Sequence, residues 1–163
     1  MSKNNFAFID IQNIHMWISQ MGWSIDWWKF RKYLREKYNI TKAFLFVGYR
    51  PDLAEFYASM QSHGYILIFK DIVELKSGKI KWNVDVDLTL WAVKEMKNYD
   101  EALIMSADGD FASLEKYLLS ENKLLGIMFP TIRKCSQLLP KLAKWKIIEI
   151  APLRNKIEYR KTP

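Results

Sequence analysis

The stretch Ala102-Leu-Ile-Met-Ser-Ala-Asp-Gly-Asp-Phe111 decides the fold, because it joins a short apolar run to two aspartates and the start of a helical pattern. Four or five apolar residues followed by polar turn residues are typical of a buried parallel strand. Asp108 and Asp110 then lie where the next helix is expected to begin. The stretch therefore predicts an α/β protein with acidic residues at the carboxyl end of a strand.

The same order of residues recurs near the N-terminus, where an apolar run leads directly into Asp10 and then Asn13. Further apolar runs are spaced along the chain with helical periodicity between them, and this alternation predicts parallel pairing with right-handed crossovers. The predicted strands are residues 5–10, 43–48, 65–70, 102–106, 124–129 and 146–150. We expect one domain over residues 1–152, followed by a loosely held basic tail over 153–163.

Apolar residues at helical spacing predict the faces that the helices bury. The stripes are Trp27, Phe30 and Leu34; Leu53, Tyr57 and Met60; Val86, Leu90 and Val93; and Phe111, Leu114 and Leu118. Residues 71–84 break this rhythm, since two short apolar segments flank Ser77-Gly78 in a pattern typical of a hairpin. We expect that hairpin to form a flap on the substrate side.

The carboxyl ends of parallel strands meet at one edge of an open sheet, where such folds keep their ligands. Asp10, Asp108 and Asp110 are therefore expected to converge, and Asp85 and Asp87 open a further helix after the hairpin. Each acid alone is explained equally well as a helix cap. Several carboxylates in one crevice repel each other unless a cation is present, so the pattern favours Mg²⁺ or Mn²⁺.

The bulk composition is that of a basic, well-packed domain. The 163 residues are 50% hydrophobic and carry a formal net charge of +7, which favours a polyanionic partner such as nucleic acid. A basic soluble protein without such a partner fits the charge as well. The single cysteine, Cys135, excludes an intramolecular disulfide and a cysteine-rich zinc site. Without an apolar run of roughly 20 residues or a signal-peptide pattern, we expect a cytoplasmic protein with no membrane association.

Four residues outside the acidic set are candidates for contact with nucleic acid. Arg50 lies between a strand end and Pro51, and Lys81 and Trp82 lie in the predicted flap. Ser106 ends the fourth predicted strand, where its hydroxyl could reach the crevice or simply serve the turn. Trp82 could equally be buried against the sheet or contact another subunit, and the sequence leaves open whether the chain forms a homo-oligomer.

Three segments of this chain resemble the signature segments of NYN domains, a group within the PIN-like nuclease superfamily that includes the LabA-like proteins. They are Asp10-Ile-Gln-Asn13, Lys81-Trp-Asn-Val-Asp85-Val-Asp87 and Ser106-Ala-Asp-Gly-Asp110-Phe, within a match over about residues 5–150. The resemblance implies a PIN-like three-layer α/β/α fold with a mostly parallel central sheet. It also implies a metal-dependent ribonuclease pocket with RNA as the partner.

Carried over residue by residue, the acidic positions of the family fall on Asp10, Asp85, Asp108 and Asp110, with Asn13 as their polar companion. These five are the predicted catalytic residues, and the four aspartates are the predicted metal ligands. Many such domains place a further aspartate where this chain has Trp91, and Asp87 is the candidate replacement.

Other phosphate-handling families fit the sequence less well. A haloacid-dehalogenase-type phosphatase needs an aspartate where this chain has Gln12, and no Gly-x-Gly-x-x-Gly or Walker-type loop is present. Two alternatives to a ribonuclease stay open. One is a non-catalytic RNA-binding or regulatory module that keeps the NYN fold, and the other is an assembly subunit that uses exposed tryptophans.

Overall fold

The computed structural model describes residues 3–74, 76–77, 80–81, 83–134 and 146–161, with the side chains of 73, 74, 80, 81 and 134 left aside. The strands are β1 (Asn5–Asp10), β2 (Ile40–Gly48), β3 (Ile66–Lys70), β4 (Val73–Glu74), β5 (Ile80–Lys81), β6 (Ala102–Met105), β7 (Leu124–Phe129) and β8 (Ile147–Glu149). All six apolar runs predicted as strands are confirmed. Only β2 begins clearly earlier than predicted. Its first residues include the exposed polar residues Thr41 and Lys42, which interrupt the apolar run.

The helices lie between the strands, as the periodicity predicts. They are α1 (Ile11–Gln20), α2 (Trp27–Tyr38), α3 (Ala54–Ser62), α4 (Asp85–Lys94), α5 (Ala112–Ser120) and a short helix over Arg154–Ile157. Within the described residues, single 3₁₀ turns cover Pro51–Leu53, Gly109–Phe111, Ile132–Lys134 and Ala151–Leu153. The predicted buried stripes of α2 and α5 are confirmed, with Phe30, Leu34, Phe111 and Leu118 fully enclosed.

Side chains that alternate along the strands build one core on each face of the sheet. Ala7 and Ile9 of β1 face a core that α1, α2 and α3 cover, whereas Phe6 and Phe8 face a second core that α4 and α5 cover. The second core contains a row of aromatic rings, in which Phe8 stacks on Phe44 with ring centroids 5.3 Å apart. Helices on both faces make this a three-layer α/β/α structure, as predicted.

The order of the strands places the working edge of the sheet. The parallel strands run in the order β3-β2-β1-β6-β7-β8, so the chain leaves β1 toward one edge and returns at β6 to build the other half. The two halves meet between β1 and β6, which pair in parallel from Phe6 opposite Ala102 to Ile9 opposite Met105. Loops diverge at such a switch point and leave a crevice beyond the carboxyl ends of the two strands.

One predicted stripe is wrong, and it lies on α4. Val86 and Leu90 are 73% and 62% exposed, whereas Leu88 and Ala92 are fully buried. Both sets fit a helical period, so the spacing alone does not tell which face is covered. The sheet covers the face of α4 on which Trp91 packs against Phe44 of β2, with ring centroids 5.5 Å apart.

The predicted hairpin is present as β4 and β5, which pair antiparallel with Val73 opposite Lys81. Its predicted role as a flap stays a prediction. The C-terminal segment packs more closely than a loosely held tail would. Ile157 is fully buried, and backbone hydrogen bonds join Asp26 to Ile157 at 2.7 Å and Tyr159 to Ser24 at 2.9 Å. The part of this segment up to Tyr159 therefore lies against the residues at the start of α2.

Candidate metal centre

Asp10 forms the floor of the crevice between β1 and β6. It is the last residue of β1 and caps α1, with its Oδ1 accepting a hydrogen bond of 3.2 Å from the backbone N–H of Asn13. Its Oδ2 accepts a second hydrogen bond, 3.3 Å long, from the hydroxyl of Ser106. Only 6% of Asp10 is exposed, so both oxygens are held in place beneath the opening of the crevice.

The loop after β6 supplies two further acids, Asp108 and Asp110. Asp108 caps the 3₁₀ turn that follows, since its Oδ1 accepts a hydrogen bond of 3.0 Å from the N–H of Asp110. Asp108 is half-buried and Asp110 is exposed. The capping explanation is therefore correct for Asp108, but the same turn also brings the carboxylate of Asp110 to the crevice.

Asp85 reaches the same place from the opposite side, in the first turn of α4. Its N–H donates a 2.7 Å hydrogen bond to the Oδ1 of Asn83, which fixes the start of the helix. One carboxylate oxygen from each of Asp85, Asp108 and Asp110 lies within 4.8 Å of the other two. Residues more than twenty positions apart are thus brought together at one point, which we call the acidic cleft.

The acidic cleft has a volume of about 290 Å³. Its lining residues are Asp10, Gln12, Asn13, Met16, Asn83, Val84, Asp85 and Asp108. Gln12, Met16 and Asn83 were not singled out from the sequence. Gln12 and Asn83 could have been noticed, since each is a polar residue within two positions of a predicted ligand, but nothing in the sequence points to Met16.

Two carboxyl groups of the cleft, those of Asp10 and Asp85, have a raised pKa. Burial raises the pKa of Asp10 to about 6, and the charges of Asp85 and Asp108 add to this, while the hydrogen bonds from Asn13 and Ser106 oppose it. Burial likewise raises the pKa of Asp85, with the charges of Asp108 and Asp110 acting in the same direction. A cation in the cleft would reverse this electrostatic cost.

The donor set fits a hard divalent ion. Oxygens on opposite sides of an octahedral Mg²⁺ lie about 4.2 Å apart, twice a metal–oxygen distance of about 2.1 Å. Adjacent oxygens of the same shell lie about 3.0 Å apart, so the three carboxylate oxygens, which lie within 4.8 Å of one another, have to draw closer together to share one ion. Mg²⁺ retains several waters, so three protein oxygens suffice as ligands.

Asn13 and Ser106 act as supports that join the two halves of the site. The Oδ1 of Asn13 accepts a 2.9 Å hydrogen bond from the N–H of Ala107, which ties α1 to the loop after β6. The hydroxyl of Ser106 lies between Asp10 and Asp108, since it also accepts a 3.2 Å hydrogen bond from the N–H of Asp108. Ser106 is 1% exposed, so it contacts these acids and does not face solvent as the predicted contact with nucleic acid requires.

Asp87, the candidate additional ligand, points to a different partner. Its carboxylate lies 2.8 Å from the ammonium of Lys70 at the end of β3, and it is outside the group of three. Two residues along a helix turn a side chain by about 200°, which separates Asp87 from Asp85. Trp91, at the position where many family members have an aspartate, is partly buried against Phe44.

Among the other predicted nucleic-acid contacts, the side chain of Arg50 is described. Arg50 is held by Asp52 through two hydrogen bonds of 3.1 and 2.6 Å, and it lines a second cavity beside the cleft. Lys81 belongs to β5, and its side chain is outside the description. Trp82 lies outside the described residues.

Known structures give the class of this fold. A crystal structure of a protein of unknown function from Vibrio parahaemolyticus has a TM-score of 0.77 with this chain, at 20% sequence identity. The similarity covers 96% of this chain and 97% of the other. Together with the parallel sheet and its two layers of helices, it shows that the two chains share a three-layer α/β/α fold. No curated protein is similar enough to this chain to match it.

The family follows from the sequence model of the NYN domain, which matches residues 6–147. This is most of the chain, and it includes Asp10, Asp85, Asp108 and Asp110. The chain belongs to the NYN domain family, within the PIN-like superfamily. In the described part of the chain, no helix has the length and apolar character needed to cross a bilayer.

Proposed function

We propose that this protein is a divalent-metal-dependent ribonuclease that hydrolyses RNA phosphodiester bonds in the acidic cleft. Asp85, Asp108 and Asp110 would hold Mg²⁺ or Mn²⁺, and Asp10 would complete the ligand set from below. The proposal rests on one observation, the meeting of three carboxylates within 4.8 Å at the switch point of the sheet. Membership of the NYN family supports it.

The chain's own part in this chemistry is to fix the ligands before any substrate arrives. Helical N-termini hold Asp10, Asp85 and Asp108 by backbone hydrogen bonds or by their place in the first turn, where the helix dipole offsets part of their charge. When bound, a divalent ion supplies Lewis-acid activation of water and neutralises charge on phosphate oxygens. Carboxylates fixed in this way need little reordering when the ion binds.

Asn13 is proposed to contact the reacting groups directly. Its Oδ1 accepts a hydrogen bond from the N–H of Ala107, so the group that it can offer to the cleft is the Nδ2 end of the side-chain amide. An amino group donates hydrogen bonds, and the oxygens of a phosphate accept them. We therefore assign Asn13 to orienting the scissile phosphate or the attacking water.

The remaining expectations complete the proposal. The net charge of +7 would hold the RNA backbone, with Arg50, Lys81 and Trp82 as the proposed contacts. We place the protein in the cytoplasm and leave open a homo-oligomer. The NYN domain is proposed to occupy residues 1–152, followed by the basic segment 153–163.

A cleavage assay tests the proposal. Purified protein is incubated with a single-stranded RNA labelled at both ends, with Mn²⁺ or Mg²⁺ and then with excess chelator. We expect cleavage that needs the metal and that falls at least about 100-fold in Asp108→Asn. Asp71→Asn is the matched control, because Asp71 is an exposed aspartate that follows the edge strand β3.

Two results would contradict the proposal. Cleavage that persists in chelator and in Asp108→Asn would point to a contaminating nuclease or to a different site. Absence of cleavage, together with RNA binding that weakens with salt, would support the alternative of a non-catalytic RNA-binding module.

A further inference from the structure

A second cavity of about 480 Å³ lies next to the acidic cleft. Gln12 lines both, so no more than one side chain separates them. The second cavity, here called the side cavity, is lined by Ile11, Gln12, His15, Val47, Gly48, Arg50, Leu53 and Phe56. Its size lies within the range of pockets that bind small planar ligands.

The side cavity has apolar walls and a polar entrance. Ile11 and Val47 are buried, and Phe56 is half-buried, whereas His15 is exposed. Arg50 adds a guanidinium that Asp52 holds in place. An apolar cavity with a ring and a cation at its entrance suits a nucleobase, which stacks on aromatic rings while its phosphate meets the cation.

Phe56 also lines a third cavity, which has a volume of about 390 Å³ and extends toward the C-terminal end of α3. We call it the α3 groove, and its lining includes Trp27, Trp28, Phe56, Met60, His63 and Tyr159. Trp28 and Tyr159 are 54% and 55% exposed there. Asp26, the acid of this groove, lies 3.3 Å from the ammonium of Lys29, which balances its charge.

The α3 groove ends at a basic patch, which shares Trp28 and His63 with it and adds Arg31, Lys32 and Arg35. Trp28, Lys32 and Arg35 lie at positions i, i+4 and i+7 of α2, so they share one face of that helix. The ammonium of Lys32 lies 5.9 Å from the centre of the Trp28 ring. Arg31 is committed to the backbone carbonyls of Gly64, Ile40 and Thr41. Lys32 has a long ion pair of 3.9 Å with Glu36 on the exposed surface, which a phosphate can compete with, and Arg35 is the other cation of the patch.

We propose that these linked cavities form a track for single-stranded RNA that leads away from the acidic cleft. One base would occupy the side cavity beside His15 and Phe56, a later base would stack on Trp28, and the backbone would meet Lys32 and Arg35. Phe56 on α3 and His63, which caps the C-terminal end of that helix, are seven residues apart, so this part of the track is about 10 Å long. The proposal rests on the proposed function for its substrate and adds the strandedness and path of that substrate.

Single strands fit this track better than duplexes do. Alternating aromatic and cationic side chains along a groove bind bases through their faces and phosphates through charge. A duplex buries the faces of its bases, so it could not stack on Trp28 or fill the side cavity. The track therefore predicts a preference for unpaired RNA.

Binding measured without metal tests the track apart from cleavage. The anisotropy of a fluorescein-labelled twelve-residue oligouridylate is followed on addition of the full chain in excess chelator. We expect Trp28→Leu to weaken binding by about 5- to 100-fold, because leucine keeps the apolar surface but cannot stack, whereas Trp28→Phe retains most of the affinity. Lys32→Ala with Arg35→Ala is expected to reduce the slope of log K against log salt by about 1.4.

Tyr117→Ala with Lys116→Ala is the matched control, because both residues are exposed on α5, on the other face of the sheet. Unchanged binding in Trp28→Leu, or equal affinity for a duplex of the same length, would overturn the track. Failure of the wild-type chain to bind the oligouridylate would overturn it as well. Trp28-dependent binding without cleavage would leave the track standing and refute the nuclease, whereas cleavage with no effect of Trp28→Leu would do the reverse.

Discussion

Asp10 in the acidic cleft and the glutamate at position 115 of α5 are both withdrawn from water, but only Asp10 is supported by polar neighbours. Asp10 accepts hydrogen bonds from Asn13 and Ser106. Glu115 is 1% exposed, and among the described residues neither of its carboxyl oxygens has a hydrogen-bond partner. Supported carboxylates are typical of a binding site, whereas an unsupported one in a core reduces stability.

The two settings also differ in what raises the pKa. In the cleft, the charges of neighbouring aspartates add to burial, so a cation can remove part of the effect. Burial alone raises the pKa of Glu115 to about 8, so a metal ion in the cleft does not relieve it. Removing a carboxylate should therefore abolish function in the cleft and improve stability at Glu115.

The largest effect is expected from Asp85→Asn. We expect the cleavage rate to fall at least about 100-fold, since one of the proposed carboxylate ligands is lost and no other acid in the first turn of α4 reaches the group of three. Without metal, the melting temperature should rise slightly, because two carboxylates repel less than three. Initial rates and thermal melts of the same preparation check both signs, and a fall in the metal-free melting temperature would contradict the repulsion argument.

Metal binding itself should stabilise the fold. At an Mn²⁺ concentration of about 100 times Kd, the free energy of unfolding should rise by about 2.7 kcal/mol. For a chain of this size, that corresponds to a melting temperature about 5–10 °C higher. The increase should disappear in chelator and in Asp85→Asn, and it should persist in Glu115→Met. Calorimetric melts check this, and an equal increase in Asp85→Asn would place the ion elsewhere.

Glu115→Met should stabilise the protein by about 2 kcal/mol near pH 7. The pKa of Glu115 is about 8 in the folded chain and about 4.5 when unfolded. Between these values the unfolded state loses its proton before the folded state does, so the free energy of unfolding falls as pH rises from 4.5 to 8. Methionine removes this fall, so the gain should grow with pH across that window.

Urea titrations at several pH values measure the gain from Glu115→Met. Glu55→Met provides the control, because it makes the same change at an exposed position of α3. A gain that is constant with pH would show that packing, and not titration, is responsible. Destabilisation at every pH would show that Glu115 has a favourable contact in the folded chain.

The sequence was sufficient for most of the fold, because buried parallel strands are continuous apolar runs and their ends are marked by polar residues. It failed on α4, where Val86 and Leu90 fit a helical stripe as well as Leu88 and Ala92 do. Which face is covered depends on the neighbouring strands, and local spacing contains no information about them.

The candidate site was predictable as residue types but not as an arrangement. Asp85, Asp108 and Asp110 were all named from the sequence, and so was the edge of the sheet where they meet. The strand order β3-β2-β1-β6-β7-β8, which brings β1 beside β6, is a result of pairing between distant segments and could not be derived. The same holds for Asp87, whose direction is set by Lys70 on another strand.

The smallest effect is expected from Ser106→Ala, which tests whether polar support is what separates the cleft from Glu115. The hydroxyl of Ser106 donates to Asp10 and accepts from the N–H of Asp108, so its loss should cost about 1 kcal/mol of stability. Supports of this kind typically change metal affinity about 10-fold or more, so Mn²⁺ should bind more weakly. Ser113→Ala, at an exposed position of α5, is the control.

Mn²⁺ titrations by calorimetry, with thermal melts of the same two variants, separate the explanations for Ser106. If stability falls but Mn²⁺ affinity is unchanged, Ser106 serves only the turn after β6, as the simpler interpretation of the sequence allows. If both fall, the hydroxyl positions Asp10 and Asp108 for the ion. In that case, the cleft differs from Glu115 because hydrogen bonds from neighbouring polar groups hold its carboxylates in place. Moving either acid would break the hydrogen bonds that Ser106 makes with Asp10 and Asp108.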